Sequence, residues 1–396
     1  MSEKKRPLRV AYFAHDWGDA AIKRRVAGFA RDGIEVSGFA SYRADAMRPD
    51  WVVADLGRTY DNGYLHRARA ILTGAEAAQI PALAQADLIV ARNLDMLLTA
   101  LLARRRARLQ TPVIYECLDI HRLVARQDRI GHLFRTIERR ALRHCAGHWV
   151  SSPAFLTEHF ERYYPDAKGA RLLENRLQAR LSSRPDGAKA IGEKLRIGWF
   201  GNLRCARSLD LLCNLSIEFD DKVEVILHGY PAEAEIPDFH HIINAHPNMT
   251  YGGRYRWPEE LKAIYDEVDT VWAGDFMDAG LNSQWLLPNR LYEGGWYGCP
   301  PIAPADAQTG QWIAAHESGF VLDEPLETTL PAFVKELLAR PNMIMAAQER
   351  LLALSEDVFV EPRGTLLKLV KEAINADTPR HAGRSSPSKA SIASSA

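Results

Sequence analysis

The sequence has few cysteines and no long apolar run, and both absences narrow the class of protein. Its 396 residues include five cysteines, and no two of them form a CxxC pair. Isolated thiols favour a reduced, cytosolic protein over a disulfide framework or a zinc site. No apolar run approaches the ~18 residues of a membrane-spanning helix. The basic residues 1–6 lead into a short strand pattern rather than a longer apolar segment, so we expect no secretory signal.

Several ligand-binding motifs are also missing. The loop after the first predicted strand reads FAHDWG, which does not match the GxGxxG dinucleotide fingerprint and disfavours an oxidoreductase. The sequence contains no GxxxxGK[ST] phosphate loop, no DxD tripeptide and no His/Cys cluster with metal-ligand spacing. We therefore expect neither a metal nor another cofactor.

The charge is balanced overall but not along the chain. Residues 1–180 carry 30 Lys and Arg against 20 Asp and Glu, and the remainder carries 20 against 30. Either an anionic surface, such as the inner face of a membrane, meets the basic half, or the asymmetry has no functional meaning. Eight of the arginines fall on two predicted helices: Arg104, Arg105, Arg106, Arg108, Arg135, Arg139, Arg140 and Arg143. No aromatic residue is interleaved within 101–110, so we expect no nucleic-acid partner.

Strand-like and helix-like segments alternate in two successive runs, which predicts an α/β protein with two Rossmann-like, doubly wound domains facing across a cleft. We place the first domain at 1–181 and the second at 190–354, joined by the polar, turn-rich segment 182–189. Residues 355–377 are expected to cross back so that the C-terminal helix packs on the first domain. The Ser- and Ala-rich residues 378–396 are expected to be a disordered tail.

A glycine-containing loop opens the second run. The segment from Gly201 and Asn202 to Ser208 follows a strand and begins a helix, where free backbone N–H groups suit a phosphate. Arg204 and Arg207 add guanidinium groups that suit the same anion. The alternative is an ordinary βα turn with surface arginines.

A second segment, 280–293, has the composition of a nucleotide-binding edge. Its small and polar residues, Asn282 and Ser283 among them, leave a loop that suits phosphate or sugar oxygens. Pro288 suits the first turn of a helix, which brings Asn289, Arg290 and Glu293 within one turn of each other. Arg290 can pair with a diphosphate, and Glu293 can accept both hydroxyls of a ribose. The alternative is an Arg–Glu pair on an amphipathic helix.

The acceptor-side candidates follow strands of the first run. Glu116, Asp119 and His121 stand at the end of a central strand, where a general base for an acceptor hydroxyl is needed. The alternative is a helix capped by Asp119 with His121 in solvent. His15 and Asp16, after the first strand, are candidates to line the acceptor side of the cleft, or they belong to a merely polar loop.

Together these runs resemble GT-B glycosyltransferases related to the broad retaining family of bacterial glycan synthesis, and most closely the transferases of succinoglycan-type exopolysaccharide biosynthesis. The resemblance covers about residues 8–375. The runs that carry it are YECLDIH at 115–121, VSSPAF at 150–155, GWFGNLR at 198–204 and WLLPNRLYE at 285–293.

The resemblance implies roles for particular positions. Gly201 and Arg207 match the glycine and basic residue of the family's phosphate loop, with Asn202 replacing its usual arginine, and Glu293 matches the carboxylate that holds the donor ribose. The family's upstream glutamate is replaced by Trp285, so donor-sugar recognition should differ. The family's catalytic histidine aligns with Leu118.

Only Asp119 of that histidine motif remains, and the catalytic assignment stays open among Asp119, His121 and Glu116. The implied function is metal-independent transfer of a hexose from a nucleotide-diphospho-sugar, with UDP favoured. The expected acceptor is a glycan or a polyprenyl-diphosphate-linked oligosaccharide in exopolysaccharide synthesis. The alternatives are a GT-B-fold nucleotide-sugar epimerase and a non-catalytic partner of a polysaccharide assembly complex.

Overall fold

The computed structural model describes residues 6–43, 47–59, 74–181, 183–278 and 280–376. The predicted tail at 378–396 lies outside these residues. So does most of segment 62–79, whose sequence predicts a helix.

The first domain is built on a seven-stranded parallel sheet of order β3-β2-β1-β4-β5-β6-β7. Its strands are β1 Arg9–Ala14, β2 Glu35–Tyr42, β3 Val52–Arg58, β4 Leu88–Arg92, β5 Val113–Cys117, β6 Gly147–Val150 and β7 Ala170–Leu172. Its helices are α1 Ala20–Arg31, α2 Pro81–Ala84, α3 Asn93–Arg106, α4 Arg122–Ala125 and α5 Arg129–Leu142, with a 3₁₀ turn at Gly74–Gln79 and a π-helical segment at Phe155–Glu161.

The second domain has a six-stranded parallel sheet of order β10-β9-β8-β11-β12-β13. Its strands are β8 Leu195–Leu203, β9 Val223–Pro231, β10 Met249–Tyr251, β11 Thr270–Trp272, β12 Pro301–Pro304 and β13 Phe320–Leu322. Its helices are α6 Ala206–Glu218, α7 Phe239–Asn244, α8 Leu261–Asp266, α9 Asn282–Trp285, α10 Asn289–Trp296, α11 Gln308–His316, α12 Leu326–Ala339 and α13 Asn342–Ala353; α14, Thr365–Ala376, comes last.

Helix α1 shows how local sequence builds these layers. Asp19 caps it by accepting from the backbone N–H groups of Ala21 and Ile22. Ile22, Val26 and Phe29 follow at helical spacing, and all three are buried against the first sheet. The helix therefore presents its N-terminal turn at the carboxyl end of β1.

The C-terminal helix packs on the first domain, as the sequence predicted. Leu366, Leu369 and Val370 of α14 join the core that contains Tyr12 and Phe29. The carboxylate of Asp32 accepts from the backbone N–H groups of residues 364, 366 and 367 at 3.0–3.3 Å. The first domain thus supplies the N-terminal cap of the chain's last described helix.

Candidate active site

Each sheet has one topological switch point. In the first sheet the chain proceeds outward from β1 on one side and from β4 on the other, so the switch lies between these two strands. In the second sheet it lies between β8 and β11. Ligands of open parallel sheets bind outside the carboxyl ends of the strands at such points. The loops after these four strands are therefore the structural candidates for the site.

At the second switch point, an arginine after β8 pairs with a carboxylate after β11. Arg204 donates from Nε and Nη2 to Asp275 Oδ2 at 3.2 and 3.1 Å. The other oxygen of Asp275 accepts from Ser283 Oγ at 3.0 Å. The side chain of Arg204 remains 26% exposed, so it borders open space as well as its partner.

Arg290 is a second cation at this edge. It lies in the first turn of α10 and is 8% exposed, and Nη1 is buried without a hydrogen bond to any described residue. Burial lowers the pKa of Arg290, and the charge of Asp275 opposes that shift. A guanidinium stays protonated at neutral pH. Because a buried, unpaired cation is costly, an anion bound at this position would account for it.

The glycine loop lies at the end of β8. Gly201 has a φ of +105° and pairs with Gly229, whose φ is +138°. A Cβ on Gly229 would lie 1.9 Å from the carbonyl oxygen of Gly201, so glycine is required at this close approach. The next residue, Asn202, is exposed. The backbone of Gly201 borders open space, since a Cβ added there would meet nothing within 4 Å.

Arg207 has carboxylate partners of its own. Its guanidinium donates to both Glu324 and Glu327, at distances from 2.8 to 3.2 Å. Its side chain is 37% exposed and stacks over the ring of Phe276. A phosphate bound by Arg207 would have to compete with two carboxylates, so this assignment stays a prediction.

Glu293 lies at a buried contact between the two domains. Its Oε1 accepts from Arg24 Nη2 and from Trp257 Nε1, the latter at 3.1 Å. Arg24 and Glu293 are 0% and 2% exposed. The carboxylate expected to bind the donor ribose is therefore paired with an arginine from α1 of the first domain.

Asn289 belongs to the same contact. Its Oδ1 accepts from Arg24 Nη1 at 3.2 Å and from Asn175 Nδ2 at 2.7 Å. The guanidinium of Arg24 also lies 5.0 Å from the ring centroid of Trp257. Two predicted nucleotide ligands, Asn289 and Glu293, thus share one arginine. A ribose can reach Glu293 only by sharing this carboxylate with Arg24 or by displacing it.

Asn282 and Ser283 lie in α9, where the second domain touches the loop after β5. Asn282 Oδ1 accepts from the backbone N–H of Ile120 at 3.0 Å, and Asn282 Nδ2 donates to Asp119 Oδ1 at 3.3 Å. Both side chains are buried, at 6% and 2% exposure. Their polar atoms therefore bind protein groups, which leaves their contribution to nucleotide binding a prediction.

Asp119 and His121 occupy different positions in that loop. Asp119 is exposed and close enough to Arg204 for its charge to act on that guanidinium. His121 is the N-terminal cap of α4, because its Nδ1 accepts from the backbone N–H of Leu123 at 3.2 Å. One interpretation of the sequence had Asp119 as the N-terminal cap of this helix, but in the structure the cap is His121.

Glu116 is the centre of a buried ion-pair cluster. It accepts from Arg25 at 2.6 Å, from Arg92 at 3.0 Å through both oxygens, and from the hydroxyl of Tyr12 at 2.8 Å. Burial alone would raise the pKa of Glu116, but the charges of Arg92 and Arg25 outweigh it and lower the pKa to about 2. A carboxylate held this way is a poor proton acceptor, which favours a structural role for Glu116.

His15 and Asn93 are the first residues after the two strands that flank the first switch point. His15 follows β1, and Asn93 follows its parallel neighbour β4. Asn93 has a φ of +67°, and its Oδ1 and His15 Nδ1 are buried without hydrogen-bond partners among the described residues. Burial lowers the pKa of His15, partly offset by Asp19. Left-handed backbone and unpaired polar atoms cluster at binding sites.

Asp16, the other acceptor-side candidate, makes a local turn, since its Oδ1 accepts from the backbone N–H of Gly18 at 2.9 Å. Its side chain is half-buried. The structure places His15 and Asp16 in the loop after β1, and their role on the acceptor side stays a prediction.

Sequence reasoning missed Arg24, Asn93 and Asp275. A positively charged residue amid a helix ordinarily indicates an exposed face, so Arg24 offered no signal. Asn93 carried a weak signal, because it is the first polar residue after the buried strand LIVAR. Asp275 could have been found, since it follows β11 at the switch point.

Within the described ranges no group of three or more His, Cys, Asp or Glu side chains could hold a metal ion. In the same part of the chain, no helix is both long and apolar enough to cross a membrane.

Solved structures of the same fold come from several bacteria. Anabaena HepE in complex with UDP and glucose aligns with a TM-score of 0.62 and 13% identity, over 93% of this chain and 98% of that chain. Sucrose-phosphate synthase of Thermosynechococcus elongatus gives a TM-score of 0.66 and 14% identity, over 92% and 97%. A glycosyltransferase of Rickettsia africae gives 0.64 and 11%, over 93% and 99%.

The two parallel Rossmann-like domains, which meet at their switch points, have the GT-B fold that these solved structures share. No protein-family model matches the chain. It is, however, 35% identical over 378 residues to the succinoglycan biosynthesis protein ExoL of Rhizobium meliloti (strain 1021), across 92% of this chain and 93% of that protein. The chain belongs to the family of ExoL, which confirms the resemblance and the fold predicted from the sequence.

Proposed function

We propose that the protein transfers a hexose from a nucleotide-diphospho-sugar to a glycan or lipid-linked oligosaccharide in exopolysaccharide synthesis. The observation that carries the proposal is Arg290 at the carboxyl edge of the second sheet, a buried cation whose Nη1 has no hydrogen-bond partner in the part of the chain that the structure describes. Arg204, on the neighbouring loop, is a second cation at the same edge. This pair suits a diphosphate, and UDP is the favoured nucleotide because HepE has been solved with UDP-glucose.

Arg204 and Arg290 would stabilise the charge that grows on the leaving diphosphate. Fixed donors of this kind can replace a metal ion, and the loss of one typically costs ~10²–10³ in turnover. The proposed reaction is therefore metal-independent. Undiminished transfer in the presence of excess EDTA is the expected result, and a requirement for added Mg²⁺ or Mn²⁺ would contradict it.

Asp119 is the favoured base. It is exposed, follows β5 and borders the second domain near Arg204. In the proposed step, Asp119 takes the proton of the acceptor hydroxyl as that oxygen bonds to the anomeric carbon. The bond from this carbon to the β-phosphate oxygen breaks, and the nucleoside diphosphate leaves with the electron pair. Such a single displacement inverts the anomeric centre, which proton NMR of the product would test.

One pair of measurements tests the donor and the base separately. A thermal-shift screen with UDP-, GDP-, ADP- and dTDP-sugars should show stabilisation by one nucleotide class. Asp119→Asn should reduce transfer to a lipid-linked acceptor extract by ~10²–10⁴-fold, to a small residual rate, while keeping that thermal shift. Near-normal turnover in this variant would remove Asp119 as the base, and the absence of any nucleotide effect on the wild type would contradict the transferase assignment.

The lipid-linked acceptor brings an anionic membrane surface into the proposal, and α5 is its best contact. Ile130 and Leu133 are 46% and 56% exposed on this helix, and Arg140 and Arg143 are exposed near its end. Each such arginine contributes ~1 kcal/mol near an anionic surface. Arg135 is excluded, because it is buried and donates to the carbonyl oxygen of Val124.

Sedimentation with vesicles of anionic and of zwitterionic lipid would test this contact. We expect binding to the anionic vesicles at low salt, weakened by Arg140→Glu with Arg143→Glu and by Leu133→Ser. Equal recovery with both vesicle types would contradict it.

A further inference from the structure

Asn282 joins the two domains at the proposed base. Its side-chain amide makes two hydrogen bonds to the loop after β5. Oδ1 accepts from the Ile120 backbone N–H, and Nδ2 donates to the Asp119 carboxylate. At 6% exposure Asn282 is buried, whereas Asp119 is exposed. A buried, bifunctional side chain of the second domain therefore holds an exposed carboxylate of the first.

The next residue in the chain connects to the donor side. Ser283 Oγ donates to Asp275 Oδ1, and Asp275 Oδ2 accepts from Arg204. The backbone N–H of Asp278 donates to Ser283 Oγ at 3.0 Å, which fixes the hydroxyl in the loop. Asn282 thus contacts the proposed base, Asp119. The next residue, Ser283, contacts Asp275, which pairs with the proposed diphosphate-binding Arg204.

From these contacts we propose that Asn282 is a positioning residue, which holds the Asp119 carboxylate in register with the diphosphate site and acts on the reaction only through Asp119. This inference rests on the proposed function, since it takes Asp119 as the base. Among the described residues, the charge of Asp119 acts on Arg204 of the second domain and on Cys117, the last residue of β5. Neither can replace the directional bond from Asn282.

The chemistry of the amide makes the role testable. Asn282→Asp keeps the acceptor for the Ile120 N–H but replaces the donor to Asp119 with a negative charge. Asn282→Leu keeps the approximate volume and removes both bonds. Ser152→Ala is a matched control, because Ser152 Oγ also bridges the domains, to the carbonyl oxygen of Trp285, without touching Asp119.

The experiment is a double-mutant cycle on the full chain, with steady-state transfer measured at a fixed, excess amount of the lipid-linked acceptor extract and varied UDP-sugar. In the wild-type background, Asn282→Asp and Asn282→Leu should lower kcat by ~10²-fold, the loss expected from a misplaced catalytic group, with the KM for the nucleotide-sugar little changed. In an Asp119→Asn background, the same substitutions should have no further effect on the residual turnover. Ser152→Ala should leave kcat unchanged in both backgrounds.

Three outcomes would overturn the proposal. Losses that multiply in the Asp119→Asn background would show that Asn282 acts independently of Asp119. An increase in the KM for the nucleotide-sugar with unchanged kcat would show that Asn282 binds the donor. A kcat loss in Ser152→Ala equal to that of the Asn282 variants would make the contact a general interdomain bridge. A wild-type chain that binds UDP-sugar without turnover would refute the proposed function itself and is distinguished from all three.

Discussion

Replacing Glu116 by Gln separates a structural carboxylate from a catalytic one. In the folded protein this side chain accepts hydrogen bonds from Arg25, Arg92 and Tyr12, and it is 4% exposed. The glutamine side chain has nearly the same shape but leaves two buried guanidinium groups without a counter-charge. We expect the variant to fold less stably and to retain its chemistry.

The magnitude follows from the pKa of Glu116, which lies at about 2 against an ordinary value of 4.5. A difference of about 2.5 units at ~1.4 kcal/mol each is roughly 3 kcal/mol of folding stability. Breaking a buried ion pair typically costs ~3–5 kcal/mol, which agrees. Because the folded-state pKa is lowered, this stability is present above pH 4.5 in the wild type and is lost as the pH falls towards 2.

Thermal unfolding followed by circular dichroism gives the measurement. A loss of roughly 3 kcal/mol in a domain of this size corresponds to a melting temperature lower by roughly 6–12 °C. Glu35→Gln is the matched control, since Glu35 pairs with Arg9 at the surface with its side chain 54% exposed. An exposed pair contributes ~0–1 kcal/mol, so this control should melt close to the wild type.

Turnover below the melting temperature supplies the second readout. Glu116→Gln should keep kcat within a few-fold of the wild type, because Asp119 remains in place. A variant with wild-type stability and abolished turnover would refute the reasoning and make Glu116 the base.

Three further expectations concern the cleft. Without ligand, Arg290→Met should melt at or above the temperature of the wild type, since it removes a buried cation whose Nη1 has no partner among the described residues. It should also lose the thermal shift caused by UDP, and a retained shift would contradict the diphosphate role. Arg207→Ala should weaken UDP binding measured by calorimetry less than Arg290→Met does, because Arg207 is already paired with Glu324 and Glu327; an equal loss would contradict this. Asn93→Gly should stabilise the fold by about 1 kcal/mol by relieving the left-handed backbone, while lowering kcat/KM for the acceptor; unchanged acceptor kinetics would exclude Asn93 from the site.

The fold was predictable because buried parallel strands read as short apolar runs between helical patterns. The strands LIV at 88–90 and VIY at 113–115 are of this kind, and both lie in the centre of the first sheet. Irregular elements were less predictable. The sequence from 343 to 375 predicts one continuous helical pattern. The structure has two helices there, α13 and α14, separated by a segment that contains Pro362 and Gly364. Both residue types interrupt helices.

The candidate site was predictable only in its local part. Spacing along the chain placed Arg290 and Glu293 within one turn, and the structure has both in α10. Spacing along the chain carried no information about Arg24, which is 269 residues away from Glu293 and contacts it at the buried interface of the two domains. The roles expected for Glu293 and Asn282 depended on free polar atoms, but Arg24 of the first domain donates to Glu293, and Asn282 is bonded to the loop after β5.

The position of α14 has a consequence for synthesis on the ribosome. Leu366, Leu369 and Val370 complete the core of the first sheet, and Asp32 caps the helix that carries them. Chains emerge from the N-terminus, so these side chains become available only after the second domain has been made. The second domain can therefore finish folding before the first, and until then the nascent first domain exposes the apolar surface that α14 will cover. A ribosome stalled before residue 365 should display an N-terminal domain that binds holdase chaperones and is sensitive to protease.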